Sequence, residues 1–211
     1  MRRAIIALAA AALASLAFAG SASAASGQVT HFTFSGTFAN AFWITSSANV
    51  ITDTLVNAST SSQGSQLLVD QFSDNLDVNG SVTGFTDTSA EVTSGYSFAI
   101  KQPLASASVS ASGLPATTCT FDANFNLIGC TPTTIDVNVN WTGQGPISRS
   151  VSNTHAKSDG FSVTTHFNAT GRAVTAIGTV GGLTLTASDL QGGELGTTKS
   201  GTITVCTGTS C

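Results

Sequence analysis

Charge is what this sequence has least of. Only 9% of its 211 residues are Asp, Glu, Lys or Arg, and no Lys or Arg stands between residues 25 and 98. The same stretch holds six acids: Asp53, Asp70, Asp74, Asp77, Asp87 and Glu91. A chain with no basic patch cannot neutralise a phosphate backbone, so nucleic acid is excluded as a partner. Catalytic signatures are missing as well. There is no G-x-S-x-G elbow and no S-x-x-K, and no H-E-x-x-H. A Ser-His-Asp triad drawn from distant residues stays open, because triads are defined by geometry and not by chain order. No cofactor fingerprint is present and no cofactor is expected.

Long apolar runs are confined to the beginning. "MRRAIIALAAAALASLAFAGSASA" opens on two arginines, runs apolar from Ala4 to Ala19, and ends on small residues with Ala22 and Ala24 in an A-x-A arrangement. These are the three regions of a secretory signal peptide. Residues 1–24 are therefore read as a leader and 25–211 as a single secreted domain, extracellular or associated with the cell surface. Cleavage removes two of the seven basic residues and none of the eleven acidic ones, so the net charge moves from −4 to −6. No later run of 18 apolar residues exists, so no integral membrane segment is expected after cleavage.

What is present in quantity is Ser, Thr, Gly, Asn and β-branched residues. Hydroxyls and amides wet a sheet face without charge, while recurrent Phe, Val, Ile and Leu supply a core and exclude disorder. In "THFTFSGTFANAFWI" the even positions Phe32, Phe34, Phe38, Phe42 and Ile44 are apolar and Thr33, Ser35 and Thr37 between them are polar. Period-two alternation predicts a strand with the Phe stripe on the core, and Gly36 marks a bulge or bend within it. Ile135, Val137, Val139 and Trp141 repeat the pattern, as do Phe161, Val163 and Phe167. Asn79-Gly80, Asp159-Gly160 and Gly181-Gly182 fall between runs and accept positive φ cheaply, as hairpin turns require. Residues 65–79 also fit a helix, through Leu68, Phe72 and Leu76. Acids near the negative end of such a helix oppose it, and a strand is preferred. The chain is predicted to be all-β: a single-domain antiparallel sandwich or barrel with hairpin connections.

Four cysteines allow three pairings. "CTFDANFNLIGC" decides between them: with Ala123–Asn126 as the loop, Asp122 faces Leu127 and Cys119 falls opposite Cys130. Opposed residues of antiparallel strands lie within disulfide reach, and export supplies the oxidising compartment. Cys206 then joins Cys211. Four thiolates on zinc would want a closer C-x-x-C spacing.

Candidate contact residues are few. With Asp159-Gly160 as the turn, His155 faces Thr164 and His166 faces Asn153, which makes the two imidazoles diagonal neighbours on one polar face. They are candidate ligand contacts, but a metal would want a third ligand that the spacing does not provide. Asp74 and Asp77 before Asn79-Gly80 resemble a fragment of a calcium loop, without its full spacing or closing Glu. Trp141 continues a core stripe. Trp43 sits one step out of phase with the Phe stripe, so a regular strand turns it to the outer face, where an aromatic stacks on a sugar ring or partner surface. Tyr96 shares the phase of Phe98 and Ile100 and reads as core.

The function expected from these features is a secreted, non-enzymatic extracellular or cell-surface protein with a binding or structural role, directed at an extracellular polysaccharide or a surface protein. A small extracellular hydrolase is the alternative. A β-pore-forming or membrane-lytic protein is a third reading, but it would want an apolar lipid-facing row across about 9 to 11 residues, and none is evident. Intact-mass analysis of exported protein is expected to give a chain beginning at Ala25; a species retaining Met1 on an envelope fraction would overturn the soluble-secreted reading.

Overall fold

The alternation along this chain commits it to extended structure. The computed structural model, which describes residues 28–158 and 161–207, contains eleven strands and, among those residues, no helix. They are β1 (Gln28–Ser47), β2 (Val50–Ser61), β3 (Gly64–Leu76), β4 (Val82–Val92), β5 (Tyr96–Lys101), β6 (Ser106–Asp122), β7 (Leu127–Gly143), β8 (Ser148–Ser158), β9 (Phe161–Val180), β10 (Leu183–Leu185) and β11 (Leu190–Thr207). Every pairing is antiparallel. No helix among the described residues is long and apolar enough to cross a membrane. The expected leader, residues 1–24, and the expected turn at residues 159–160 lie outside the described residues; Ser158 pairs Phe161.

Hydrogen-bonded neighbours run β9-β11-β1-β2-β3-β4-β6, and β7 joins β6 back to β9. The sheet is therefore closed. Eight strands form the ring, while β5, β8 and β10 pair onto its flanks. The segment with two readings is a strand: β3 pairs β2 from Gly64 and β4 from Leu67, and its outward residues Leu68, Phe72 and Leu76 follow a period of two within those ladders. Gly181 and Gly182, at φ of 56° and 83°, form the two-residue loop between Val180 and Leu183. Beside Gly36 the β1–β11 register slips, and the surplus residue lies on β11.

Closure decides which face is the core, and it reverses the expectation for β1. Ala39, Ala41 and Trp43 point inward and are fully buried or nearly so, whereas Phe38 and Phe42 are half-buried on the outer face and Ile44 is exposed. The relative phase of Trp43 and the Phe stripe is as expected; the sides are exchanged. The reason is volume. An eight-stranded ring leaves an interior just wide enough for side chains to fill, so alanines alternate with a few large residues, and a row of phenylalanines fits only outside. Phe38 lies across Gly196 of β11, where a Cβ would come within 2.2 Å of the ring. The glycine is the seat of that ring.

The interior is organised by two indoles. Trp43 Nε1 donates to the Ala176 carbonyl at 3.2 Å, and Trp141 Nε1 donates to the Asn40 carbonyl at 3.0 Å. Ala176 is the cross-strand partner of Trp141, and Asn40 lies on the strand that carries Trp43. The pair therefore ties β1 to β7 and β9 reciprocally across the ring. Around them pack Val56, Leu67, Val69, Val109, Leu114, Val137, Val139, Val180 and Leu195. Trp43→Ala is expected to lose about 3 to 5 kcal/mol of stability, as truncation of a buried aromatic does. Chemical denaturation measures it, and a loss under 1 kcal/mol would contradict a filled interior.

Candidate functional site

Trp43 offers nothing to a ligand, since its ring and its N–H are both engaged inside the ring of strands. The expected contact role for Trp43 is corrected on that ground.

His155 and His166 stand where the spacing placed them, opposite Thr164 and Asn153, and both are exposed. Each imidazole is engaged locally: His155 Nδ1 with Thr164 Oγ1 at 2.9 Å, and His166 Nδ1 with Asn153 Oδ1. His31 likewise meets Thr204 Oγ1 at 3.0 Å. Among the described residues, no group of three or more His, Cys, Asp or Glu side chains is arranged to hold a metal ion.

Asp74 and Asp77 are not brought together. Asp74 is on β3 opposite Phe85, whereas the Asp77 carboxylate is committed to its own turn. Its Oδ1 accepts the amides of Asn79 and Ser81, both at 2.8 Å, and these hold its pKa below the ordinary value, Ser81 contributing most. The turn itself accounts for the Asp and the Asn-Gly, so the resemblance to a calcium loop is local.

The same turn is built a second time. Asp122 Oδ1 accepts the amides of Asn124 at 2.8 Å and Asn126 at 2.9 Å, and its Oδ2 accepts Asn126 Nδ2 at 2.8 Å. Its pKa is lowered by those contacts, the Asn126 side chain first. Backbone bonds match as well: residue 77 to 81 and 80 to 77 in one turn, 122 to 126 and 125 to 122 in the other. The fourth position has positive φ in both. In the first turn it is Gly80, at 80°; in the second it is Phe125, at 65°. Glycine takes that conformation freely, whereas an aromatic residue there is a genuine outlier.

Phe125 is held by what it touches and by the hairpin beneath it. Its ring stacks on Phe85 with centroids 3.8 Å apart, and Phe85 stacks in turn on Phe72 at 5.6 Å. The loop is Asp122–Asn126, one residue longer than expected, so Phe121 and not Asp122 faces Leu127. Ile128 then bulges out between Leu127 and Gly129, which restores the register. Cys119 therefore still opposes Cys130, and the two form a disulfide. Closing a loop of this length stabilises by about 3 kcal/mol in the chain-entropy picture. The second expected bridge includes Cys211, which lies outside the described residues.

This end of the ring is apolar and open. Phe125 is 63% exposed, Leu127 58% and Ile128 70%. The β3–β4 turn adds Val78 at 88% and, at its β4 end, exposed Val82. The two hairpins are neighbours, because Gly84 of β4 pairs with Asp122. Spacing alone hid this surface: the signal was the repeated Asp-x-Asn at 77 and 122, with glycine in one fourth position and phenylalanine in the other.

Next to the stacked rings lies an acidic surface. Phe72 faces Asp53 on β2 and Asp87 on β4, and Asp70 sits one outward step along β3 from it, opposite Leu55 and Ser89. Burial pushes the Asp70 carboxyl up to about 7, helped by its hydrogen bond to Asp87 and by the like charge there.

No protein-family model, curated protein or solved structure matches this chain.

The raised Asp70 gives a sign for stability against pH. Its stabilising proton is fully present below the ordinary value of 3.8 and is lost as pH rises through about 7. The melting temperature is expected to fall between pH 4 and pH 8, and Asp70→Asn should flatten that slope. A wild-type melting temperature that is flat or rises over this interval would contradict the raised Asp70 carboxyl.

Proposed function

We propose that this protein is a secreted, non-enzymatic binding protein of the extracellular space or cell surface. Its contact surface is the apolar end formed by the β3–β4 and β6–β7 hairpins, and its partner is an extracellular polysaccharide or surface protein. One observation carries the reading: Phe125 occupies a left-handed position that the sister turn gives to Gly80. Strain of this kind persists where surrounding structure enforces it, and it clusters at contact sites. Here the disulfide, the Asp122 cap and the Phe85 stack hold an exposed aromatic in one orientation, so little rotamer freedom remains to be lost on binding. Exposed Leu127, Ile128 and Val78 extend the patch, and contiguous apolar surface of this type marks interaction sites. The filled interior directs attention to the outer surface.

Phe125→Gly separates contact from folding. The glycine relieves about 1 to 2 kcal/mol of left-handed strain and forfeits about 0.5 to 1.5 kcal/mol of ring stacking, so stability should change little. Retention of the labelled mature protein on envelope material of the source organism is expected to weaken by about 1 to 3 kcal/mol, the loss of an aromatic anchor. Protease treatment of that material beforehand distinguishes a protein partner from a polysaccharide. Undiminished retention of the glycine variant would remove this surface from the reading.

A further inference from the structure

Beyond the ring, part of the sheet continues as a four-stranded arm in the order β1-β11-β9-β8. Both borders of the arm are bare among the described residues. β2 does not reach β1 until Gly36, which leaves Gln28–Phe34 with a partner on one side only, and β8 pairs with β9 alone. Bare edges template the addition of another strand, and proteins ordinarily guard them with Lys, Pro or bulges. Residues 28–34 have no charged residue and no proline; neither does 150–156 of β8, whose bases Arg149 and Lys157 stand near its ends.

We propose that these two edges are the halves of one junction, in which β8 of one copy adds to the β1 edge of the next and carries the arm's sheet from molecule to molecule. Strand direction permits it. Three antiparallel pairings separate β1 from β8, so the two run in opposite directions. Copies placed side by side in one orientation therefore meet antiparallel, as every other pair in the sheet does. Charge penalises the self-pairing of β8: two β8 strands centred on Asn153 set Arg149 opposite Lys157 twice, and like charges directly opposed are destabilising. A head-to-tail contact of this kind does not close on itself as a two-fold dimer does, so it produces extended assemblies or rings.

The experiment is a complementation between edge-blocked variants of the mature, disulfide-bonded protein, read by light scattering after size exclusion and by electron microscopy. Val151 on β8 is 63% exposed and Thr33 on β1 is exposed, so Val151→Lys and Thr33→Lys each block one edge. Wild-type protein is expected to form species larger than dimers as concentration rises. Each variant alone should remain monomeric with an unchanged melting temperature. Mixed in equal amounts, the two retain one good edge apiece and should give a species of twice the monomer mass and nothing larger. Thr33→Glu, which offers an acid to the β8 bases, should assemble like wild type. If Val151→Lys fails to fold, Asn153→Lys on the same exposed strand replaces it. A monomeric wild type, a wild type that stops at a dimer, single variants that still assemble, or a mixture that stays monomeric would each overturn the junction.

Discussion

Two indole N–H groups cross the interior of this protein to carbonyls on opposite strands, and the rest of the structure accommodates them. Trp43 of β1 donates to Ala176, the ladder partner of Trp141; Trp141 donates to Asn40 on β1. Buried donors of this kind must be satisfied, so the two rings can lie only where those carbonyls are. Once they are in place, an eight-stranded ring has little volume left. The neighbours of Trp43 on its own strand are Ala39 and Ala41, and Ala58, Ala107 and Ala176 line other walls. A closed interior without spare volume has the further consequence that large aromatics are displaced outward. Phe38, Phe42 and Phe72 are half-buried on the outer face, and Phe125 is open to solvent.

The outer surface is divided by charge. The wall from β2 to β4 carries acids and no base, and burial, a hydrogen bond to Asp87 and the like charge there hold the Asp70 carboxyl well above its ordinary value. The arm, which continues β1, β11 and β9 past one end of the ring, carries Arg149 and Lys157 on its β8 border. At the end of the ring away from the arm, the two hairpins present aliphatic and aromatic side chains on turns whose carboxylates, Asp77 and Asp122, are bound to backbone amides. Those two acids sustain the loop shape, and the apolar side chains at the tips are free to meet a partner. Stability, turn geometry and contact surface thus rest on different residues, which is why substitution at one can leave the others intact.

The sequence by itself determined the strands and their local pairing. Period-two alternation identified the extended segments, paired glycines and Asn-Gly marked turns, and the spacing around residues 159 and 160 put His155 opposite Thr164 and His166 opposite Asn153. These are short-range properties, set by side-chain alternation and by φ at a few positions. The Cys119–Cys130 pair was legible for a related reason, although the assumed four-residue loop is really five, with Ile128 absorbing the difference. Two local offsets cancelled. The inward stripe of β7, from Ile135 to Trp141, was legible too, whereas only the tertiary structure decided which side of β1 became the inside. Phase is a property of one strand, but the choice of face depends on the volume enclosed when strands distant in sequence close, and that volume admits Trp43 with its alanines and refuses a row of phenylalanines. The site followed the same logic. Phe125 is unremarked in sequence until the fold sets its turn beside that of Gly80 and slides its ring onto Phe85, because strain and stacking arise only from neighbours the chain brings together.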